Sequence, residues 1–202
     1  MSIERKVKEI ERLFGRLEED IATFQSESSL SCKAGCGKCC NHPEINASPL
    51  EFLPWAFHLF LHGDPLAVLE ELKAGKSAVC HLYKPVSVLE KENGSCSEYK
   101  YRGLICRLFG YGASRDKLGE LRLVTCKIIK ENQKENFEKT VEAMKKGLYV
   151  PIFTDYYMHL NQIDFRLGNS IVPINKAMKI AIEEVLHYYA YRPLPEGHKT
   201  TA

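Results

Sequence analysis

Along residues 3–25, Ile3, Val7, Ile10, Leu13, Phe14, Leu17, Ile21 and Phe24 recur at intervals of three and four, with charged residues between them. That period marks one face of an amphipathic helix. Ser26-Glu27-Ser28-Ser29 ends the pattern and leads into a loop. Ser48-Pro49-Leu50-Glu51 predicts a helix start: Ser48 caps it, Pro49 occupies its first position and Glu51 closes a capping box. The segment that follows, through Trp55 and Phe57 to about Leu61, is apolar enough to belong to the core. Asp64-Pro65 opens a shorter helix that runs to Gly75. Residues 76–112 read as irregular and are rich in cysteine, tyrosine and glycine. Arg107 to Thr125 predicts a hairpin turning at Ser114-Arg115-Asp116-Lys117. Residues 127–146 predict one charged helix with Ile128, Phe137, Val141 and Met144 inward, ended by Gly147. Pro151 to about Arg166 reads as helical. Pro173 to Tyr191 reads as a last helix, with Ile174, Met178, Ile182 and Val185 or Leu186 on one side. Arg192-Pro193-Leu194-Pro195 stops it, and the residues beyond are expected to fray. The fold class is therefore mainly α (α+β), a helical single domain with a small β-hairpin or sheet beside a cysteine-rich loop region. It divides into an N-terminal amphipathic helix (1–29), a cysteine-cluster domain (30–130) and a C-terminal helical extension packed on the same core (131–202).

The chain has 202 residues, of which 45% are hydrophobic and 27% charged, ordinary for a soluble globular domain able to bury its own core. Its 28 basic and 26 acidic residues leave a formal charge of +2, without the basic excess of a nucleic-acid binder. No apolar run approaches the roughly 18 residues that span a bilayer. Met1-Ser2-Ile3-Glu4-Arg5-Lys6 lacks the basic and apolar regions of a secretory signal. The expectation is a cytoplasmic protein with no membrane and no nucleic-acid partner.

Cysteine changes this picture. There are 8, and four of them, Cys32, Cys36, Cys39 and Cys40, fall within nine residues. A chain of this size does not need disulfide staples, and a reducing compartment disfavours them. Gly35 and Gly37 let the backbone curl so that several sulfurs converge. Adjacent cysteines such as Cys39-Cys40 suit a mutual disulfide poorly, because the closed ring is strained. Four crowded thiolates repel one another unless a cation neutralises them. Cys80, Cys96, Cys106 and Cys126 are spread out, as later ligands from separate elements often are. Cys126, in an apolar stretch, reads equally as a buried small hydrophobe. All eight are candidate metal ligands.

The run Cys32-Lys33-Ala34-Gly35-Cys36-Gly37-Lys38-Cys39-Cys40 resembles the signature of the CxxCxxCC, or YkgJ-type, cysteine-cluster family, described as zinc- or iron-chelating. Cys96-Ser97-Glu98-Tyr99-Lys100-Tyr101-Arg102-Gly103-Leu104-Ile105-Cys106-Arg107 is similar to that family's second signature, C-x-I-Y-x-x-R-P-x-x-C-R, with Cys, Tyr, Arg, Cys and Arg in register. Cys80-His81-Leu82 resembles a shorter motif between the two. The resemblance spans roughly residues 30–130. Gly103 stands where the family usually has proline, Glu98 where it usually has an aliphatic residue, and the Cys80–Cys96 interval is long. The resemblance implies that the clustered cysteines with Cys80, Cys96 and Cys106 bind zinc or iron. It also implies a distant similarity to flagellin lysine N-methylases, and hence, as an alternative, a protein-modifying enzyme using S-adenosylmethionine on a protein substrate.

All-thiolate ligation suits both Zn2+ and iron–sulfur clusters. Structural zinc usually takes two separated cysteine pairs. Iron–sulfur ligation more often gathers three cysteines in one loop and draws the fourth from afar, which favours a [4Fe-4S] cluster here. Eight cysteines could also fill two four-ligand sites, and the spacing assigns no partition. A redox or metal-trafficking role is a further alternative, which labile, exposed thiolates would favour. Cys32-x3-Cys36-x2-Cys39 is also the spacing of radical S-adenosylmethionine enzymes. Those usually carry an aromatic residue where this chain has Lys38, and they need β/α repeats that the helical pattern does not supply.

His42 and His81, beside cysteines, read equally as ligands and as loop histidines. His58 and His62 share a helix face and are expected at its polar margin. Arg102 and Arg107 flank Cys106, where positive charge would offset anionic sulfur or simply lie on the surface. Tyr188-Tyr189-Ala190-Tyr191 reads as helix packing. No sequence feature names a substrate.

Overall fold

A computed structural model describes residues 1–33, 36–86 and 94–195. The sequence-level expectations for Gly35 and for fraying beyond Pro195 fall outside these residues. The fold is mainly α, with small two-stranded antiparallel sheets. Helix α1 spans Ile3–Ser28. Ser2 caps it by accepting from the Arg5 N–H, and Ser29 ends it in the left-handed region at φ 56°. Its predicted apolar stripe is the buried face, from Ile3 to Phe24. The capping box at Ser48 forms as the sequence predicts, but it opens a 3-10 turn over Pro49–Phe52 before helix α2 (Leu53–His62) begins. Asp64 caps α3 (Pro65–Ala74) through the Ala67 N–H.

The region read as irregular contains structure. Strands β2 (Tyr83–Pro85) and β3 (Gly94–Cys96) pair antiparallel, with Tyr83 opposite Cys96. Arg107 does not start a strand. It lies in the short helix α4 (Leu104–Leu108), and the hairpin begins later, with β4 (Ala113–Arg115) and β5 (Leu121–Leu123) turning through Asp116. The Asp116 carboxylate accepts from the N–H groups of Leu118 and Glu120 at 2.9 and 3.0 Å, which moves the turn past the expected Ser114–Lys117. A two-residue strand β1 (Asn46–Ala47) pairs with β6 (Val172–Pro173).

The single helix expected over 127–146 is two, α5 (Lys127–Asn132) and α6 (Lys134–Lys145), broken at Gln133. Ile129, not Ile128, is the buried residue of the first. Helix α7 (Phe153–Ile163) stops at Asp164, whose carboxylate caps α8 (Phe165–Gly168) and pairs with the buried Lys6 ammonium at 2.6 Å. The last helix, α9, spans Ile174–Tyr189. Tyr189 stacks on Phe60 at 4.9 Å and Tyr188 packs beside it, as expected of the tyrosine run, whereas Tyr191 is exposed.

The apolar residues form two clusters. The larger gathers α1, α2, α4, α7 and α9. The smaller gathers Phe24, Leu30, Ala113, Leu123, Ile129, Met144 and Val150. Tyr111 packs against both.

The Glu51 carboxylate is fully buried and joins three elements. It accepts from the Ser48 N–H at 2.8 Å and hydroxyl at 3.1 Å, from the Ile105 N–H of α4 at 3.0 Å, and from Tyr157 of α7. Burial pushes its pKa up against the pull of these donors. Gly103 is needed beside it, because a Cβ there would stand 2.9 Å from Glu51 Oε2 and 3.0 Å from the Phe52 ring. Glu51→Ala strands two buried backbone N–H groups, each costing about 1–3 kcal/mol. It should lower unfolding free energy by about 3 kcal/mol, and Gly103→Ala by about 1–3 kcal/mol, both read from urea melts.

Candidate metal centre

The cysteines reach one region by four routes. The first is a polar seam. Gln133, Asn136 and Thr140 lie at intervals of three and four on one side of the α5–α6 joint and address successive backbone groups after α1. Gln133 accepts from the Ser31 N–H at 3.0 Å and donates to the Ser31 carbonyl at 2.7 Å. Asn136 donates to the Ser29 carbonyl at 3.3 Å and Thr140 to that of Ser28 at 3.4 Å. The break at Gln133 thus serves to pin the segment that carries Cys32. The Cys32 N–H then donates to the Tyr111 hydroxyl at 2.8 Å.

The second route is a close approach of two glycines. Gly37 sits at φ 57°, and a Cβ on it would lie 2.2 Å from the Gly94 carbonyl oxygen. A Cβ on Gly94 would strike Lys84 O and the Tyr83 ring, both at 2.5 Å. Only bare backbone lets the cysteine loop rest on the β2–β3 hairpin, which brings Cys36, Cys39 and Cys40 toward Cys96.

Third, Asn175 at the start of α9 clamps the Cys80 loop. Its amide donates to the carbonyls of Ser77 and Val79 at 3.1 and 2.8 Å, and its oxygen accepts from the His81 N–H at 2.8 Å. The fourth route is Arg107. This side chain is buried, donates to the carbonyls of Arg102 (3.1 Å) and Lys100 (2.6 Å), pairs with Glu18 and lies over the Phe14 ring. It is a strut between α1 and α4 rather than a surface arginine.

All eight thiols are free, and several feel the charge of others. Cys32 is coupled to Cys36, Cys39 and Cys126. Cys40 is coupled to Cys39, Cys96 and Cys106, and Cys106 to Cys39, Cys80 and Cys96. Cys39 Sγ and Cys40 Sγ stand 4.0 Å apart. The hydrogen bond that Cys39 and Cys40 share holds Cys39 down at about 6, and the same contact pushes Cys40 far up. Burial raises Cys80 to about 11 and raises Cys32, Cys96 and Cys106, with neighbouring thiols adding to it. Metal-free, the group resists ionising more than a few of its sulfurs. Among the described residues, no three His, Cys, Asp or Glu side chains meet in metal-ligating geometry in this arrangement.

The donor set nevertheless fits a thiophilic cation or an iron–sulfur cluster, because positive charge would relieve this mutual repulsion. Arg102 supports the fit. Its charge favours the thiolates of Cys32, Cys39 and Cys96, its guanidinium lies 3.8 Å over the Tyr99 ring, and its buried Nε has no acceptor among the described residues. The Thr125 hydroxyl, next to Cys126, is likewise buried without a partner. Anionic sulfur is an acceptor both could use.

The histidines stand apart from this chemistry. His42 Nδ1 accepts from the Glu44 N–H at 3.2 Å, and His81 Nε2 lies 3.6 Å from Glu71. His58 stacks on Tyr101 at 4.8 Å and sits beside His62, on the margin of α2. Sequence reasoning missed Gln133, Asn175 and Tyr111, which carried no signal, and read Glu51 only as a capping residue.

The thiolate is the form that alkylates. In reduced, metal-free protein, iodoacetamide should modify Cys39 with a midpoint near pH 6, faster above it and slower below, read by peptide mass spectrometry. Arg102→Gln should move that midpoint upward. Asn175→Ala should speed alkylation of Cys80 several-fold at fixed pH, as the loop loses its three anchoring bonds.

Among the described residues, no helix is long and apolar enough to cross a membrane. Comparison of the chain with protein-family models, with curated proteins and with solved structures finds no match.

Proposed function

We propose that this chain is a metal-binding protein whose clustered cysteine thiolates hold an iron–sulfur cluster. One observation carries the reading: eight free thiols, drawn from residues 32 to 126, include Cys39 Sγ and Cys40 Sγ at 4.0 Å, and the charge of Arg102 favours the thiolates of Cys32, Cys39 and Cys96. Packing alone has no use for such a gathering. Buried inert cysteines scatter through a core, whereas these lie along its edge with Cys32 and Cys39 exposed. Iron is preferred to zinc because the cysteines form one dense group in a single loop, Cys32 to Cys40, with the others on separate elements, rather than two separated pairs. When bound, the group would supply positive charge to the thiolates and, as an iron–sulfur centre, one-electron chemistry. The protein's own residues hold the loop (Gln133, Tyr111, Gly37) and offset anionic sulfur (Arg102).

The exposure of Cys32 and Cys39 favours a second reading, a redox or metal-trafficking protein that gives up its metal to a competing thiol.

Anaerobic purification followed by metal analysis and a visible spectrum tests the proposal. Iron with acid-labile sulfide and broad visible charge-transfer absorbance is the expected result. A colourless protein loaded with zinc overturns the preference for iron, and a protein that retains and takes up neither overturns the reading. Transfer of the bound metal to a chelator within minutes would select the trafficking role.

A further inference from the structure

We infer that the adjacent thiols of Cys39 and Cys40 form a two-coordinate site for a soft monovalent cation, Cu(I). This rests on the trafficking reading above and adds to it the ion and the two sulfurs that take it.

The turn holds the pair in place. The Cys40 and Asn41 N–H groups both donate to the Gly37 carbonyl, at 2.9 and 3.0 Å, and Gly37 rests against the Gly94 backbone. On that turn the two Sγ atoms stand 4.0 Å apart. The gap is far beyond the ~2.0 Å of a disulfide, whose ring across adjacent residues is strained. It suits one bridging ion instead. Two Cu–S bonds of about 2.2 Å in a line set their sulfurs about 4.4 Å apart, so the pair has to part by only about 0.4 Å.

Coordination number selects the ion. Among the described residues, no three His, Cys, Asp or Glu side chains meet in metal-ligating geometry. Tetrahedral zinc would need two further sulfurs brought to this pair. Cu(I) favours soft thiolates and is satisfied by two of them. Charge agrees with this choice. Two thiolates around a monovalent ion leave a net charge of −1, and Arg102 supplies one positive charge. That charge favours the Cys39 thiolate, and the buried Nε of Arg102 has no acceptor among the described residues. Cys39 is exposed, so a carrier's thiol can reach the ion from solvent. Cys40 is half-buried and feels the charges of Cys96 and Cys106, which are the nearest further acceptors. An ion with two ligands can take a third before it releases the first, so transfer needs no free ion. Binding displaces the thiol protons to the buffer, with no change in oxidation state.

Anaerobic titration of the reduced full chain with up to one equivalent of Cu(I), against bathocuproine disulfonate as competitor, tests the site. Wild type should withdraw copper from the competitor, and X-ray absorption should show two sulfurs at about 2.2 Å. Cys39→Ser and Cys40→Ser should each weaken this first equivalent by about tenfold or more, whereas Cys80→Ser and Cys106→Ser should leave it within about twofold. Circular dichroism of all four variants separates ligand loss from misfolding. A first equivalent unchanged in Cys39→Ser and Cys40→Ser, weakened as much in Cys80→Ser or Cys106→Ser, or bound by three or more sulfurs, overturns the site. If wild type takes up no copper but purifies with iron or zinc, the two-sulfur site falls and the metal-binding reading stands. If it holds none of the three, both fall.

Discussion

A carboxylate buried without a cation has to be surrounded by donors, and in this protein that requirement falls on Glu51. Its two oxygens collect the cap of the 3-10 turn before α2, the start of α4 and a tyrosine of α7. Those donors cannot be left behind when the carboxylate goes inside, so three elements from distant parts of the chain are fixed relative to one another. Cys106 sits one residue beyond the Ile105 amide that Glu51 holds, and Gly103 is small because Glu51 and Phe52 leave it no room. The position of α4, and with it one edge of the cysteine region, depends on a single carboxyl group inside the larger core.

The other sulfurs hang on weaker and more numerous ties. Side chains reach back to main-chain atoms: Gln133 to Ser31, Asn175 to the loop before Cys80, Tyr111 to Cys32. Main chain alone meets main chain at Gly37 and Gly94. Irregular backbone near a surface must find partners for its amides and carbonyls, and here amide side chains supply many of them. The cysteine region is therefore ordered less by its own regular structure than by the helices around it.

The helices were legible because their evidence is local. The stripe from Ile3 to Phe24, the capping box at Ser48 and Asp64-Pro65 each predict an element from neighbours a few residues away, and each element forms. The cysteine spacing was legible in the same way, as a crowd of thiols needing a reason. The rest depends on partners far along the chain. A single charged helix over 127–146 follows from periodicity, and the break at Gln133 follows only from its bond to Ser31, 102 residues earlier. Arg107 continues an apolar, glycine-punctuated run that reads as a strand, but its guanidinium finds Glu18 and two carbonyls, and the segment coils into α4. Asn175 carries no signal in its neighbourhood at all.

The doubly bonded carboxamide of Gln133 has a mechanical consequence. It holds Ser31 as a neighbouring strand would, donor to acceptor and acceptor to donor, but from a joint between two helices. The stretch leading to the first sulfur is thus held in place by residues more than a hundred positions downstream. Shortening the polypeptide before that joint would remove this grip and leave the first sulfur held by the Tyr111 hydroxyl, so part of its preorganisation would be lost to chain entropy.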